Sequence, residues 1–511
     1  MELVKKRLNE SATLRWLVLV IISGLMFATY WFQDCLGPLK SLMESQLGFD
    51  SSQFGLIIAS TTWANLALMI IVGGIALDKW GIRKTGTIFG VLATIGAFIV
   101  AFASKGVFGQ GEKTMLIWMI IGRILFGTGL ETVCVMVSRT VVKWFKDYEL
   151  ALAMAVNVGF GRLGTAGAIL FGVGIANGNV YTGLSFAASL IGLALILFLI
   201  YLILDVKFDR QEKALSGSAE TIEEDGFKFK DLTDLLTNHS FIYIALLCVA
   251  FYSAVFPFVQ YAPDLLVNKF GFTLNMPELS GMSLWEKIFA YFHNGPTVTS
   301  LIPFGTILFT PIFGGLIDKK GKAASLMILG SLLLIFAHLS LSVFNNVALG
   351  YLGLLSLGIA FSLVPAAMWP SVARIVAENR LGTAYATMFT IQNYGLSLFY
   401  WGIGKVLDLT NPSIVEQIQT TRDKLIAAGV SLEKIPQIIE ELRISGEISP
   451  SVIEQLTTAG VSPEKIPPYN YTIPILMLVF LGVISIFLAY QLKRADKRQG
   501  YGLEQPSGQK E

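Results

Sequence analysis

Two residues in this sequence place charge where hydrocarbon would be expected. Glu131 and Arg162 lie within 122–167, a pair of apolar stretches joined by a short charged turn. An ionisable group inside a membrane costs several kcal/mol, roughly 2.5–3.5 on insertion scales, so it faces a partner or a water-filled cavity. An acid and a base on adjacent apolar segments could clamp a zwitterion. The carboxylate would take an ammonium, and the planar guanidinium fork would bond both oxygens of a carboxylate. A free dipeptide carries those two groups at its ends and spans at most about 7 Å, whereas a tripeptide reaches about 10 Å. Fixed charges would then select length and leave side chains free to vary. The competing reading is that Glu131 and Arg162 pair with each other and only hold their segments together.

Other polar residues in apolar surroundings could complete such a site. Tyr30, Gln33 and Asp34 fall in TYWFQDC. Asp34 could receive a cationic side chain or an ammonium, or simply end a helix. Tyr252, Gln260 and Tyr261 surround Pro257, with Pro263 and Asp264 following. A proline there can break the helix, and broken helices serve binding and gating. Trp369, before Pro370, could cover a ligand or stack on a guanidinium, and Asn393 is a weaker candidate.

The elements that must position these residues are membrane spans. The chain has 511 residues, 54% hydrophobic and only 14% charged, with a mean hydropathy of +0.63. So little charge excludes an ordinary soluble protein. A net charge of +2 gives no footprint for nucleic acid. Apolar runs of about 20 residues, the length that crosses a bilayer, recur at 15–38, 52–76, 85–104, 115–138, 149–176, 181–204, 240–267, 297–317, 324–344, 347–373, 383–407 and 470–492. The polar N-terminus runs into the first of these without a cleavage signal, so that span is expected to be retained. Lys and Arg gather in the termini and the even-numbered loops, which puts both termini in the cytoplasm.

Residues 205–239 read as a cytoplasmic linker between two six-helix bundles, 1–204 and 240–511. Internal repetition supports that division. GGIALDKWGIRK (73–84) and FGGLIDKKGK (313–322) occupy the same place in each half, so that Gly74, Asp78 and Gly81 align with Gly314, Asp318 and Gly321. A duplicated bundle places substrate between its halves, near the midplane. Residues 411–468, between spans eleven and twelve, read as an outward-facing insert that is itself duplicated. AGVSLEKIP (428–436) returns as AGVSPEKIP (459–467), and SIVEQI (413–418) as SVIEQL (451–456). Each copy is expected to hold one short helix and the start of another, the second start capped by Ser462 with Pro463 in its first turn. A further outward loop, 271–293, is expected to form a helix at SLWEKIFAYF, whose Trp and Tyr suit a membrane interface.

Other chemistry finds no support. No GxxxxGK[ST] loop is present. The three histidines lack ligand spacing, and the three cysteines lie in apolar spans. No nucleophile–base pair stands out. Neither a cofactor nor a metal nor an enzymatic activity is expected.

The GGxxxDKxGxxK loop and its second copy resemble the signature of the major facilitator superfamily. The resemblance implies twelve transmembrane helices in two pseudo-symmetric six-helix bundles, an all-α membrane fold. It makes Gly74, Asp78, Gly81, Arg83, Asp318 and Gly321 gating or latch residues. Arg123-x-x-x-Gly127-x-Gly129 resembles a second motif of that superfamily, whose arginine is linked to proton coupling. Arg123 lies about 12 Å along a helix from Glu131 and about 80° around it, so the two need not share a face. It is a candidate for proton coupling and equally for an anchor.

GTGLE, VKWFKDYELALAMAVN, GFGRLG, VAFYSAVFPFVQ, AAMWPSVARIVAENRLGTAY and IQNYGLSL resemble the lysosomal dipeptide transporter family and its bacterial relatives. That resemblance implies a uniporter of dipeptides, notably those with cationic side chains. Glu131 would read the ammonium and Arg162 the carboxylate. The sequence therefore points to a monomeric multi-pass transporter of short peptides working by alternating access. Its expected place is the cytoplasmic membrane, or a lysosomal membrane in a eukaryote. Its expected partners are substrate and lipid, with no nucleic acid. The alternatives are an organic-anion or sugar-phosphate carrier of the same fold, and a non-transporting membrane sensor or scaffold.

Overall fold

The computed structural model describes residues 8–216, 229–377, 380–443 and 448–506. Among these, ten helices are long and apolar enough to cross a membrane. The first crossing is α1 (Ala12–Asp34), a short 3-10 turn, and α2 (Lys40–Leu47). The second is α3 (Ser51–Ser60), α4 (Trp63–Leu66) and the start of α5 (Met69–Ser104). α5 turns at Gly81 (φ 72°, ψ 176°), a conformation that suits glycine, and continues as the third crossing. α6 (Glu112–Phe145), α7 (Leu150–Ala176) and α8 (Val180–Ser216) complete the first bundle.

After α9 (Phe229–Thr237), the second bundle holds α10 (His239–Phe270), α12 (Gly295–Lys320), α13 (Ala323–Ser342), α14 (Val347–Ile375), α15 (Leu381–Thr410) and α19 (Thr472–Gln499). Counting α15 and the divided second crossing, the fold has twelve transmembrane helices in an all-α membrane protein. Gly321 (φ 68°) takes the positive φ that Gly81 takes in the first bundle. The connection at 271–293 carries α11 (Leu284–Phe292), opened by a capping box of Ser283 and Glu286. Its Trp285 and Phe289 are exposed, as an interfacial helix requires.

Four local expectations are corrected. α10 runs unbroken through Pro257 and Pro263, and it is buried almost continuously from Phe251 to Val267, so protein surrounds both prolines. The break falls instead in the second crossing, at 61–68, with Leu68 left-handed (φ 63°). There the Thr62 hydroxyl binds the Ala59 carbonyl (2.7 Å), competing with the helix ladder. The Tyr394 hydroxyl takes the Leu66 carbonyl freed by the break (3.0 Å). The linker boundary set at 205 falls inside α8, where Asp205 is buried against Arg83 (2.7 Å) and Lys143 (2.7 Å). The SGSAETIEED stretch of that linker lies mostly outside the described residues.

The fourth correction concerns the insert, which forms α16 (Pro412–Ala427), α17 (Ile435–Arg443) and α18 (Pro450–Thr458). Its second copy does not start a helix at Ser462: residues 461–471 are irregular. Pro467 matches Pro436, which lies in the first turn of α17, so the copies differ where Pro463 replaces Leu432 and Pro468 replaces Gln437, and Ile466 donates to the Leu442 carbonyl (3.1 Å).

Polar links between the bundles gather from the midplane to the end that carries the insert. Asp408 accepts from Ser51 N (3.1 Å) and Ser52 N (2.6 Å). Lys40 pairs with Asp264 (3.0 Å), and Tyr261 donates to the Tyr400 carbonyl of its own bundle (2.9 Å) beside Ser51. α15 meets α3 so closely that a Cβ on Gly404 would run into the Ser51 carbonyl.

Candidate functional site

α6 and α7 hold Glu131 and Arg162 near their middles, and both side chains are half-buried. They do not pair with each other. Among the described residues, neither has an oppositely charged side chain within ion-pair distance. The Asn65 amide, in the break of the second crossing, lies against the Glu131 carboxylate. Tyr30 of α1 sits among Cys134, Glu131, Arg162 and Asp34, so four elements of the first bundle converge on this place. A Cβ on Gly161 would meet the Tyr30 ring at 3.2 Å, so the glycine beside Arg162 lets that ring lie flat against α7.

The second bundle answers with rings. The Arg162 guanidinium stands over Phe361 of α14 (4.6 Å to the centroid) and Phe256 of α10 (5.8 Å). Tyr252 stacks on Phe256 (5.3 Å) and accepts the Trp369 indole N–H (2.9 Å). Trp369 in turn stacks on Phe389 of α15 (4.9 Å). Tyr252 and Trp369 thus belong to one aromatic wall. Asn393 is turned away from it: its amide donates to the Phe389 carbonyl of its own helix (2.8 Å).

Asp34 is already engaged. It accepts from Thr165 of α7 (2.6 Å) and Gln260 of α10 (2.6 Å), which makes it a pin between the bundles rather than an open carboxylate. Arg123 is fully buried. It donates to the carbonyls of Phe32 (3.1 Å) and Gln33 (3.2 Å) at the end of α1, so it ties α6 to the turn that presents Asp34.

The residues expected to act as gate or latch lie away from this place, at the end of the bundle that carries the termini. Asp78 pairs with Arg139, both largely exposed. Arg83 bonds Asp205 and Asp209, and Lys143 joins the same two carboxylates. Asp318 occupies the last turn of α12, before Gly321. A Cβ on Gly321 would come within 2.5 Å of the Glu504 carbonyl, so this turn packs on the C-terminal segment. Nothing lies near Gly74, whereas a Cβ on its neighbour Gly73 would strike Thr132, so the close approach of α5 and α6 falls at Gly73.

Sequence reasoning passed over Asn65, Thr165, Phe256 and Phe361. Asn65 had a signal, since an amide inside an apolar span needs a partner. The two phenylalanines had none, because a ring facing a guanidinium and a ring facing lipid read alike.

A sequence model of the Major Facilitator Superfamily matches residues 22–400. The chain is 28% identical over 410 residues to the lysosomal dipeptide transporter MFSD1 of Danio rerio, covering 77% of this chain and 81% of that one. It is 28% identical over 405 residues to MFSD1 of Homo sapiens, covering 77% and 80%. A hexuronate transporter of Bacillus subtilis (strain 168) is 24% identical over 368 residues, covering 71% and 81%. Among solved structures, a mutant of the nucleoside transporter NupG superposes with a TM-score of 0.62 at 13% identity, covering 94% of this chain and 99% of that one. A bacterial homologue of the human lysosomal transporter Spinster, inward-facing and occupied, gives 0.61 at 15% identity, covering 96% and 98%. Those two likenesses establish the fold.

Proposed function

The chain belongs to the Major Facilitator Superfamily, and from that premise we propose that it carries dipeptides across its membrane by alternating access. The observation that carries this reading is the unpaired acid and unpaired base on α6 and α7. An intramembrane charge without an opposite charge beside it is expensive, and the expense is tolerated where a ligand supplies that charge. A dipeptide supplies both at once, its ammonium to Glu131 and its carboxylate to Arg162. The aromatic wall of the second bundle closes over the clamp, with Phe361 supporting the guanidinium and Tyr252 and Trp369 presenting flat surface to the side chains. The relatives named dipeptide transporters agree with this substrate class.

Transport is proposed as uniport, since Arg123, the candidate for proton coupling by its motif, is spent on backbone carbonyls; titration of Glu131 or Asp34 as substrate leaves is the route by which protons would be coupled instead. Both termini are placed in the cytoplasm, which makes the insert end the outer end. Because the links between the bundles lie toward that end, the described state is closed outside. Division into two six-helix bundles that rock about the clamp is part of the same proposal. The chain acts as a monomer in the cytoplasmic membrane, with no catalytic step.

A second reading has its own observation: an unpaired arginine and a hexuronate-transporting relative fit an organic-anion carrier. Glu131 opposes it, because it would repel such a substrate. Uptake by proteoliposomes tests both. Labelled dipeptide should enter without a pH gradient and be unaffected by a protonophore. Uptake that requires a proton gradient would overturn uniport, uptake of a hexuronate but not dipeptide would favour the anion carrier, and no uptake of either would leave a membrane sensor or scaffold.

A further inference from the structure

The insert is anchored in the second bundle, between α15 and α19, yet it reaches the first. α17 carries Ile435, Ile438, Ile439 and Leu442 buried along one face, the i, i+3, i+4, i+7 stripe of an amphipathic helix, and it packs on α2. At its end Arg443 makes an ion pair with Glu44 of α2 (3.3 Å), both side chains almost fully buried. The same guanidinium donates to Asn268 of α10 (2.7 Å). Asn268 also accepts from Tyr469 N (3.0 Å), while the Tyr469 hydroxyl donates to Glu44.

Directly beneath, Lys40 of the first bundle meets Asp264 of the second, and the Tyr471 hydroxyl donates to the same carboxylate. The Tyr469 ring lies between the two layers, with Lys40 Nζ 4.8 Å and Arg443 Cζ 5.0 Å from its centroid. Two cations and two carboxylates, drawn from three parts of the chain, are thus neutralised only while the bundles are together here. Burial opposes the charge on Arg443, but Glu44 and Asp264 outweigh it and hold its pKa above the ordinary guanidinium value.

We propose that the insert is a strap that holds the insert end of the transporter shut, with Arg443 as its buckle between Glu44 and Asn268. Opening that end must lift α17 from α2, which exposes its apolar face to water, and must separate Arg443 from Glu44 and Lys40 from Asp264, so the strap biases the resting population toward the state closed at this end. Removing Arg443 leaves Glu44 buried without its partner in that closed state, which is costly. The inference rests on the alternating-access part of the proposed function and not on its substrate.

The test is a distance measurement that needs no substrate. With Cys35, Cys134 and Cys248 replaced by alanine, spin labels are placed at Thr182→Cys and Asn345→Cys, both exposed at the insert end, one in each bundle. Pulsed dipolar spectroscopy in nanodiscs then gives the spread of separations. Arg443→Ala should enrich a longer-distance population several-fold, and Tyr469→Phe, which removes only the hydroxyl bond to Glu44, should shift it the same way by less. Distributions unchanged in both variants would overturn the strap. If Arg443→Ala does not yield folded protein, Tyr469→Phe decides alone. Because no ligand is added, a failure of the dipeptide reading cannot be mistaken for a failure of this one.

Discussion

The wall that α1, α6 and α7 present to the candidate site carries Tyr30, Asp34, Glu131 and Arg162. The wall that α10, α14 and α15 present carries Tyr252, Phe256, Phe361, Trp369 and Phe389. Charge and aromatic surface are sorted between the two bundles, and they are joined by the Arg162 guanidinium, standing over Phe361 and Phe256, and by Asp34, which accepts from Gln260. The sorting has a physical consequence. In the proposed cycle, fixed charges on one bundle would keep their spacing while the other bundle moves, and so would read the length of a ligand throughout. Rings make no directional demand beyond contact, so the aromatic wall can close on different side chains. Within the first bundle the two carboxylates are themselves divided. Asp34 is consumed by Thr165 and Gln260, whereas Glu131 has the Asn65 amide against it and, among the described residues, no cation within ion-pair distance.

The comparison predicts a ranking of effects. The largest belong to the charges. Glu131→Gln and Arg162→Ala should each weaken dipeptide binding by about 10- to 100-fold, the worth of roughly 1.5–3 kcal/mol for a hydrogen bond to a charged group, read by isothermal titration. Arg162→Lys should recover only part of the loss, because an ammonium lacks the planar fork. If Glu131→Gln binds like the parent, the first wall does not read the ammonium.

Next comes the aromatic wall. Phe361→Ala should cost about 0.5–2 kcal/mol of cation–π support to Arg162. It should weaken dipeptides and simple carboxylates alike, and a loss confined to particular side chains would place Phe361 on the ligand instead. Smaller still is Tyr252→Phe, which leaves the rings in place but deprives the Trp369 indole of its acceptor. It should lower the melting temperature by an amount matching about 1 kcal/mol with little change in affinity. The smallest effect on binding is expected from Asp34→Asn. It should loosen the bond to Thr165 or Gln260 and alter transport rate more than affinity. A collapse of affinity equal to that of Glu131→Gln would erase the distinction between the two carboxylates.

The fold was legible because its signals are redundant. Apolar runs give the crossings, and the repeat of Asp78 as Asp318 gives the duplication. The break at 61–68 was not legible, since it contains neither proline nor glycine and depends on Thr62 hydrogen bonding and on Tyr394 from another bundle. Pro257 misled for the reverse reason: a strong local signal was overruled by packing. In the insert, the same AGVS segment precedes a helix in one copy and an irregular segment in the other, and the differences are Pro463 in place of Leu432 and Pro468 in place of Gln437. At the site, ionisable residues stood out against hydrocarbon, but their partners Phe256 and Phe361 did not. Nor could spacing alone tell that Asp34 is engaged and Glu131 is not.

The central claim, that Glu131 and Arg162 read the two ends of one zwitterion, is tested most directly by the melting of purified protein against a ligand panel. A ligand that binds only the folded state stabilises it by RT ln(1 + [L]/Kd), about 2.7 kcal/mol at 100 times Kd. Free dipeptides should raise the melting temperature. Single amino acids, tripeptides, N-acetylated dipeptides and hexuronates should not, and Glu131→Gln and Arg162→Ala should each remove the dipeptide response. Equal stabilisation by N-acetylated and free dipeptides, or stabilisation by anions alone, would contradict it.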